Sequence, residues 1–376
     1  MKENYGFKST KMPEHHQHGD KSYSTKPLNV GIIGVGGLGG TLAHYLLTTS
    51  KNSVVHLAGR PKNTGTIEAR VRVLISRDGN GDVVNEERVK ERIRIYQTIR
   101  GETSVNAKGE LLESKERLLD ADFILVSVRD NSMPFNSFKS RDDEYLVNKP
   151  TVRDIAENLE GYKGIVINAT GPLELFCEEI SDVSGIPLER IVGASYVDTL
   201  RFRKELQRQI YNLVGQLIDL PLLEEAIVLG CHRSSMVPIY SKLNLFDKSF
   251  NDISELNNEG LRRRVKEALL TDPNVMQLTG STSVNISDPA LAIYEMILGL
   301  SDRRKIVGSV FDGECFMSYP CWTESNSMGL NIVRADIDIL DPIKKRISDN
   351  ERKKVYLSKQ EIVNLRKKLK RKSLKR

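Results

Sequence analysis

An aspartate, an arginine and a histidine in two short segments of the chain could together carry out proton transfer. Asp198 and Arg201 lie three residues apart within 197–203, so on a helix both side chains leave the same face. His232 stands just after an apolar run, 226–229, that predicts a strand. An arginine can bind a carboxylate through two charge-assisted hydrogen bonds, while a carboxylate orients and charges a histidine that donates a proton. These are the groups that the reduction of a 2-oxo acid requires.

A strand–turn–helix pattern further upstream has the glycine spacing of a dinucleotide-binding loop. An apolar run starts at Val30, glycines follow in a G-x-G-x-x-G arrangement, and helical apolar spacing extends over 42–47. Gly34 would permit the tight turn, Gly36 the close approach of a pyrophosphate, and Gly39 the packing of helix on strand. The pyrophosphate would lie at the helix N-terminus, whose N–H groups favour an anion. The alternative is a glycine-rich turn without a ligand.

The residues after the second strand bear on the choice between NAD and NADP. In NAD-binding folds, an Asp or Glu at the end of the second strand binds the ribose hydroxyls. Here the strand predicted over 53–58 is followed by Gly59 and Arg60, and no acid stands at that position. A guanidinium in that place suits a 2′-phosphate, so the sequence slightly favours NADP over NAD. The other interpretation is that Arg60 is a solvated loop cation. The predicted cofactor-binding residues are Gly34, Gly36, Gly37, Leu38, Gly39, Arg60 and Asn168.

Composition and length argue against a membrane-spanning protein and against a secreted, disulfide-bonded protein. The chain has 376 residues, enough for two lobes and a large core, and its apolar runs fall short of the roughly 18–20 residues that cross a membrane. Residues 1–27 are polar, with a histidine cluster and no hydrophobic signal-peptide core, which predicts a disordered tail without a metal site. The four cysteines lack C-x-x-C spacing, so we expect reduced thiols in a cytoplasmic protein.

The net charge of +6 is concentrated at the C-terminal end. Residues 366–376 hold eight positive charges and no negative one, so the rest of the chain is slightly acidic, unlike a nucleic-acid-binding domain. This basic run could contact an acidic partner, nucleic acid or an anionic membrane. More often such a run is the frayed, solvated end of a helix, and that interpretation is favoured here.

Strands alternate with helices along the chain, which predicts a doubly wound parallel sheet. Beyond the glycine loop, strands are predicted over 92–96, 122–128 and 164–168, with a charged helical segment after the first of them. The insert from about 64 to 119 contains a predicted hairpin, 71–84. Its turn resembles a calcium loop but lacks the required glycine and bidentate glutamate, so we expect no metal there.

A polar segment between two of the predicted strands could close over a substrate. It begins at Arg129, ends near Asp143 and contains Arg141. A loop in this position can expel water, and one of its arginines can polarise a substrate carbonyl. The alternative is a surface loop whose arginines pair with nearby aspartates. Asn168, at the carboxyl end of the next strand, could reach a substrate or the nicotinamide.

Taken in order, these pieces resemble the lactate/malate dehydrogenase family over about 29–370. The order is a glycine loop, an arginine-bearing loop, a strand ending in asparagine, a D-x-x-R-F-R helix, a G-x-H strand, a T-S helix start and an amphipathic C-terminal helix. The segment 311–321 is also similar to the family's late strand pair. The resemblance implies an α/β fold in which a Rossmann domain precedes an α+β domain typical of that family.

The expected domain organisation follows from the resemblance and the charge pattern. A disordered polar tail spans 1–27, and the dinucleotide-binding Rossmann domain spans 28–170. The substrate and catalytic domain spans 171–365, and a basic tail spans 366–376. We therefore expect a site between the two central domains.

The resemblance also implies a role for each candidate residue. His232 would be the proton donor and acceptor, with Asp198 as its partner. Arg201 would hold the substrate carboxylate, and Arg141 would polarise the carbonyl. Arg129 would offer a cation to a second carboxylate, as suits malate. The predicted substrate-binding residues are Arg129, Asn168, Arg201 and Thr282, and the predicted catalytic residues are His232, Asp198, Arg201 and Arg141.

The implied function is hydride transfer between NAD(P) and a small 2-hydroxy or 2-oxo acid, carried out by a cytoplasmic homo-oligomer (dimer or tetramer). The chain departs from the family where Arg233, Ser234 and Ser235 replace the usual Gly-Asp-Ser after the histidine. It departs again where two residues are added ahead of Pro172. These departures leave open a second hypothesis, a nucleotide-binding sensor or scaffold of the same fold with altered catalysis.

Overall fold

The computed structural model describes the chain in several stretches. They are residues 27–50, 52–59, 92–96, 99–100, 104–105, 111–112, 117–130, 138, 140–215, 223–232, 235–245, 248–253, 257–279 and 287–373. Five predictions lie outside them: the polar tail up to residue 26, the role of Arg60, the hairpin over 71–84, and the placement of Arg233 and Thr282.

The N-terminal half alternates strands and helices as the sequence predicts. Its elements are β1 (Asn29–Ile33), α1 (Gly37–Thr49), β2 (Val54–Ala58), β3 (Ile93–Tyr96), β4 (Ser104–Val105), β5 (Leu111–Leu112), β6 (Phe123–Val126), α2 (Arg141–Asn158), β7 (Ile165–Asn168), α3 (Leu173–Ser184) and β8 (Ile191–Gly193). The strands predicted over 53–58, 92–96, 122–128 and 164–168 are confirmed as β2, β3, β6 and β7.

The C-terminal half mixes helices with antiparallel strands. Its elements are α4 (Tyr196–Val214), β9 (Ile227–Cys231), β10 (Ser235–Ile239), β11 (Asn244–Leu245), β12 (Lys248–Ser249), α5 (Glu259–Thr279), α6 (Ser287–Ser301), β13 (Ile306–Phe311), β14 (Phe316–Ser325), β15 (Asn331–Ala335) and α7 (Asp349–Ser373). Within the described residues, no helix is long and apolar enough to cross a membrane.

The strand order explains where a ligand would bind. Strands β3, β2, β1, β6, β7 and β8 lie side by side in that order and are parallel. The chain thus builds outward from β1 in both directions, and doubly wound sheets bind ligands where the order reverses, at β1 and β6. Beyond β8 the sheet continues antiparallel through β13, β14 and β9 to β10. The predicted Rossmann sheet followed by an α+β region is therefore confirmed.

A single buried apolar cluster joins the two halves of the protein. It runs from Ile32 in β1 and Leu46 in α1 to Ile297 in α6, Val307 in β13 and Ile362 in α7. Because these side chains are removed from water together, separating the halves would expose apolar surface from both. The shared core is what allows side chains from distant parts of the chain to form one site.

The segment after β3 differs from the prediction of a charged helix. In the part that is described, it contains β4 antiparallel to β3, with Tyr96 opposite Ser104, and β5 antiparallel to β4. Without β4, strand β3 would be an edge with unpaired backbone groups on one side. In the described residues, pairing with the edge of the sheet therefore takes the place of the predicted helix.

The basic run at the C-terminal end is ordered as helix at least to Ser373, so the boundary predicted at 365 falls inside α7. Leu369 is buried in a second apolar cluster, which also contains Tyr145 of α2 and Phe176 of α3. Arg366 pairs with Glu178 at 3.0 Å, and Lys368 pairs with Asp142 at 2.6 Å. Part of the basic run therefore pairs the last helix with α2 and α3, while Lys367, Lys370 and Arg371 are exposed, as expected for a solvated helix end.

A carboxylate at the start of α7 fastens that helix to the loop after β10. Glu351 accepts the backbone N–H groups of Tyr240 at 2.7 Å and Ser241 at 3.1 Å, and the hydroxyls of Ser241 and Ser348. Burial alone would raise the pKa of Glu351. Hydrogen bonds from Ser241, Ser348 and Tyr240 outweigh burial and hold the pKa below its ordinary value.

We expect Glu351→Gln to lower the free energy of unfolding at neutral pH by about 1–3 kcal/mol, because an amide cannot accept the same set of hydrogen bonds. Since the folded-state pKa is depressed, this contribution is complete above the ordinary pKa of 4.5 and is lost as the pH falls through the folded-state pKa. Urea unfolding of both proteins at decreasing pH measures it. The difference between them should shrink on acidification, and a constant difference would contradict the assignment.

Candidate active site

His232, Asp198 and Arg201 form one polar group at the end of β9. Nδ1 of His232 lies 2.7 Å from Oδ2 of Asp198, and Nη1 of Arg201 lies 3.7 Å from Oδ1 of the same carboxylate. The aspartate and arginine are buried, whereas the histidine side chain is 17% exposed and accessible. Because a carboxylate only accepts hydrogen bonds, Nδ1 carries the hydrogen, and Nε2 is the nitrogen that can exchange a proton with a ligand. The structure thus brings together the three residues singled out by type and spacing.

The segment that supplies the aspartate and the arginine also fixes helix α4 against strand β9. Thr199, which follows the aspartate, accepts the backbone N–H of Val228 through Oγ1 at 3.0 Å. Arg203 donates from Nε to the backbone carbonyl of Ala226 at 3.0 Å. These contacts set the register of the helix against the strand that leads to His232. The D-x-x-R-F-R pattern therefore combines site residues with residues that hold the site in place.

The backbone of the turn that carries His232 is anchored by two further helices. The N–H of His232 donates to Oε1 of Glu174, in the first turn of α3, at 2.6 Å. The N–H of Cys231 donates to Oγ of Ser358, in α7, at 2.7 Å. The preceding residue, Gly230, has a φ of +94°, and a Cβ there would lie 2.8 Å from the same Oγ. A glycine is therefore required for this close approach.

Arg141 is the first residue of helix α2 and not part of a loop. Ser140 caps the helix, because its side chain accepts the N–H of Asp143. The guanidinium of Arg141 donates to Oε2 of Glu174 at 3.1 Å and to Sγ of Cys231 at 3.0 Å. Burial would lower the pKa of Arg141, but Cys231 and Glu174 raise it overall, so the side chain stays cationic. Arg141 was predicted to lie on a loop that closes over the substrate. In the structure it is held at the start of α2, beside the histidine turn.

Asn168 ends β7 as predicted, but its side chain is used within its own turn. The buried amide donates from Nδ2 to the carbonyl oxygens of Thr170 at 3.2 Å and Leu173 at 2.9 Å. Its Oδ1 accepts the N–H of Thr170 at 3.0 Å. The same turn contains a cis peptide bond between Gly171 and Pro172. In this structure the amide shapes the turn that leads into α3, and its contact with a substrate or the nicotinamide stays a prediction.

The remaining predicted residues are placed only in part. Arg129 follows β6, next to the point where the strand order reverses, and its guanidinium carbon lies 5.4 Å from the centre of the Phe138 ring. Leu38 is half-buried and packs against the main apolar cluster. Arg60, Arg233 and Thr282 lie outside the described residues, so their roles stay predictions.

The glycine loop fits the diphosphate of a dinucleotide. Gly34 has a φ of +96°, which favours glycine, and its carbonyl accepts the Ser127 hydroxyl at 3.0 Å. A Cβ on Gly39 would lie 2.4 Å from the carbonyl oxygen of Gly34, so the helix packs closely on the strand. A Cβ on Gly36 would meet nothing within 4 Å, which leaves open space in front of the N-terminus of α1 at Gly37. An anion in that space would face the N–H groups that begin the helix.

Sequence reasoning missed two residues that hold the site, Glu174 and Ser358. An acidic residue in the first turn of a helix is ordinarily assigned to the helix dipole, and that was the only local signal at Glu174. Its partners lie 33 and 58 residues away in the chain, and the N–H that Ser358 accepts lies 127 residues away. Contacts over such distances leave no local pattern.

The fold and the site together define a class of protein. A doubly wound sheet with an open glycine loop, combined with a histidine–carboxylate pair and buried arginines, provides what an oxidoreductase acting on 2-hydroxy acids needs.

Comparisons with known proteins agree with this class. The chain is 23% identical to a malate dehydrogenase of Staphylococcus saprophyticus over 348 residues, covering 91% of this chain and 98% of that protein. It is 26% identical to an L-lactate dehydrogenase 2 of Listeria innocua over 296 residues, covering 77% and 84%. The crystal structure of a lactate dehydrogenase from Eimeria maxima with NADH and oxamate has the same fold, with a TM-score of 0.68 at 17% identity over 92% of this chain and 94% of that one. No protein-family model matches. Over most of its length the chain is therefore similar to lactate and malate dehydrogenases, and it shares their fold.

Proposed function

We propose that this protein transfers hydride between a nicotinamide dinucleotide and a small 2-oxo or 2-hydroxy acid of the malate or lactate type. The observation that carries the proposal is the 2.7 Å contact between His232 and Asp198, with Arg201 beside the same carboxylate. The similarity to malate and lactate dehydrogenases over most of the chain supports this reaction class.

The glycine loop is the proposed site of the cofactor diphosphate. Backbone N–H groups at the start of α1, at Gly37 and Leu38, would hold it in the open space beside Gly36. The bound nicotinamide would supply or accept the hydride. The Eimeria maxima relative holds NADH, which favours NAD for this chain, whereas Arg60 is the feature of the sequence that favours NADP.

Four side chains would bind the substrate or act on it during reduction. His232 enters reduction as the imidazolium, which Asp198 stabilises through Nδ1, and it donates the Nε2 proton to the substrate oxygen as the hydride arrives. Arg201, buried beside Asp198, binds the substrate carboxylate. Arg141 is cationic beside the histidine turn and stabilises negative charge on the carbonyl oxygen. In the oxidative direction, His232 takes the hydroxyl proton instead.

Arg129 bears on the choice between malate and lactate. Its guanidinium lies after β6, at the point of the sheet where ligands bind, and would pair with the second carboxylate of a dicarboxylic acid. A monocarboxylic acid has no second carboxylate for Arg129 to bind. Thr282 is proposed to line the same pocket, and family resemblance suggests a homo-oligomer.

We expect the purified protein to oxidise NADH or NADPH, followed as loss of absorbance at 340 nm, when a 2-oxo acid is added. Oxaloacetate, pyruvate and bulkier 2-oxo acids should be compared at a fixed cofactor concentration. The ratio of kcat/KM for the two cofactors decides whether Arg60 recognises a 2′-phosphate. Faster turnover of oxaloacetate than of pyruvate would assign Arg129 to the second carboxylate.

The same assay separates an enzyme from a scaffold. The second hypothesis predicts nucleotide binding, seen as a change in NADH fluorescence, with no oxidation by any 2-oxo acid. The paired His232 and Asp198 favour the enzyme, because a histidine whose ring is held by a buried carboxylate is poised for proton transfer. Binding without turnover would overturn the proposed function.

A further inference from the structure

Glu174 is a fully buried carboxylate that both hydrogen-bonds and ion-pairs with other parts of the site. Its side chain is 0% exposed. One oxygen, Oε1, accepts the backbone N–H of His232 at 2.6 Å, and the other, Oε2, accepts Nη2 of Arg141 at 3.1 Å. The carboxylate therefore lies between the proposed proton donor and the proposed carbonyl-polarising cation.

Burying a carboxylate is costly, so its partners must compensate the charge. Arg141 provides a cation whose pKa is raised by neighbours that include Glu174, although burial alone would lower it. The first turn of α3 adds the favourable end of the helix dipole. A buried ion pair adds little net stability compared with apolar residues of the same volume, so stability alone does not explain the carboxylate here.

The position of the two partners gives a better explanation. Arg141 begins α2 and the histidine follows β9, so Glu174 connects two elements that are separate in the chain. Arg141 also contacts the thiol of Cys231, which precedes the histidine. Through these contacts, the guanidinium and the backbone of the histidine turn have a defined separation, which a transition state would need.

We propose that Glu174 is a positioning residue that sets the geometry between His232 and Arg141. The catalytic roles of these two residues rest on the proposed function. Glu174 is fully buried and acts through a backbone N–H and a guanidinium. A displacement of about 1 Å at a reacting group can cost 100-fold in rate. Loss of this carboxylate therefore affects catalysis more than it affects the fold.

The histidine turn keeps other anchors when Glu174 is replaced. Ser358 accepts the N–H of Cys231 at 2.7 Å and lies 2.8 Å from the hydroxyl of Ser235. Asp198 still binds the imidazole ring. With these contacts in place, Glu174→Gln should fold, and its amide nitrogen would face Arg141 in place of an oxygen. The variant therefore weakens the link between Arg141 and the histidine turn, while Ser358 and Asp198 still hold that turn.

The same helix offers a matched control. Glu179 in α3 is also buried and binds Arg153 at 2.7 Å and Tyr145 at 2.5 Å. Glu179→Gln removes an ion pair of a buried carboxylate with the half-exposed Arg153 by the same change of atoms, away from the histidine turn. Both variants should therefore lower Tm. We expect Glu174→Gln to lower kcat for 2-oxo acid reduction by about 10- to 100-fold, while Glu179→Gln keeps kcat and KM near those of the wild type.

A second readout does not depend on turnover. In protein labelled with ¹⁵N-histidine, the ring signals of His232 can be assigned by their loss in His232→Asn. We expect these signals, and their pH dependence, to change in Glu174→Gln and to stay unchanged in Glu179→Gln. The kinetic isotope effect with 4-deuterated NADH should rise only in Glu174→Gln, because a misplaced proton donor slows the chemical step.

Equal kcat, isotope effect and ring signals in the two variants would overturn the positioning role. If the wild type turns over no 2-oxo acid, the proposed function fails, and the ring signals still decide whether Glu174 controls the histidine. If Glu174→Gln does not fold, Glu174→Asp keeps the charge and withdraws it by one methylene. Glu174→Asp is then compared with Glu179→Asp by the same measurements. A change confined to Glu174→Asp supports the positioning role, and equal values in the two variants overturn it.

Discussion

His232→Asn is expected to lower kcat for 2-oxo acid reduction by about 100- to 10,000-fold. Asparagine is smaller than histidine, but its amide nitrogen corresponds to Nδ1 and can donate to Oδ2 of Asp198, where Nδ1 does so now at 2.7 Å. It has no group that releases a proton at neutral pH. The variant therefore removes the proton donor and retains the hydrogen bond that holds the side chain. Initial rates at saturating 2-oxo acid and cofactor measure the effect.

Nucleotide binding is the control for His232→Asn. The glycine loop, which would hold the cofactor diphosphate, and the histidine turn are separate elements, so NADH affinity should stay within about twofold. Turnover close to that of the wild type would rule out His232 as the proton donor. A joint loss of affinity and of the thermal unfolding transition would instead report a misfolded variant, to be replaced by His232→Gln.

Residue types and spacing were enough to predict the proton-transfer group. Asp198 and Arg201 share a helix face because they are three residues apart, and His232 follows a strand whose apolar run is plain in the sequence. The glycine loop was equally accessible, because the strand, the turn and the helix are consecutive. Features defined by neighbours in the chain leave a pattern in the sequence.

The supporting residues could not be predicted in this way. Asn168 stands at a strand end, where a polar side chain often faces a ligand, yet its amide finds partners at Thr170 and Leu173 in an unusual turn. Glu174 acquires its role only when α2 and β9 come together. The basic C-terminal run carries a local pattern of solvation, but Leu369 buries one face of it. In each case tertiary contacts override the local preference.

Arg201→Gln is expected to have the second large effect, on binding of the substrate carboxylate. Removing one partner of a buried, charge-assisted contact costs about 2–5 kcal/mol, which corresponds to roughly 30- to 4,000-fold in kcat/KM. We expect most of the loss in KM for the 2-oxo acid. Arg201→Lys should recover part of it, because lysine keeps the charge but cannot form two parallel hydrogen bonds.

Arg203→Gln is the matched control, since the same helix carries both arginines two positions apart. Arg203 donates to the backbone carbonyls of Ala226 and Glu224, at 3.0 and 2.7 Å, and so attaches α4 to the segment that leads into β9. Its replacement should lower Tm and leave KM nearly unchanged. If both variants raised KM equally, Arg201 would act on the fold and not on the substrate. A rise in KM confined to Arg201→Gln would show that the D-x-x-R-F-R segment divides its arginines between recognition and attachment.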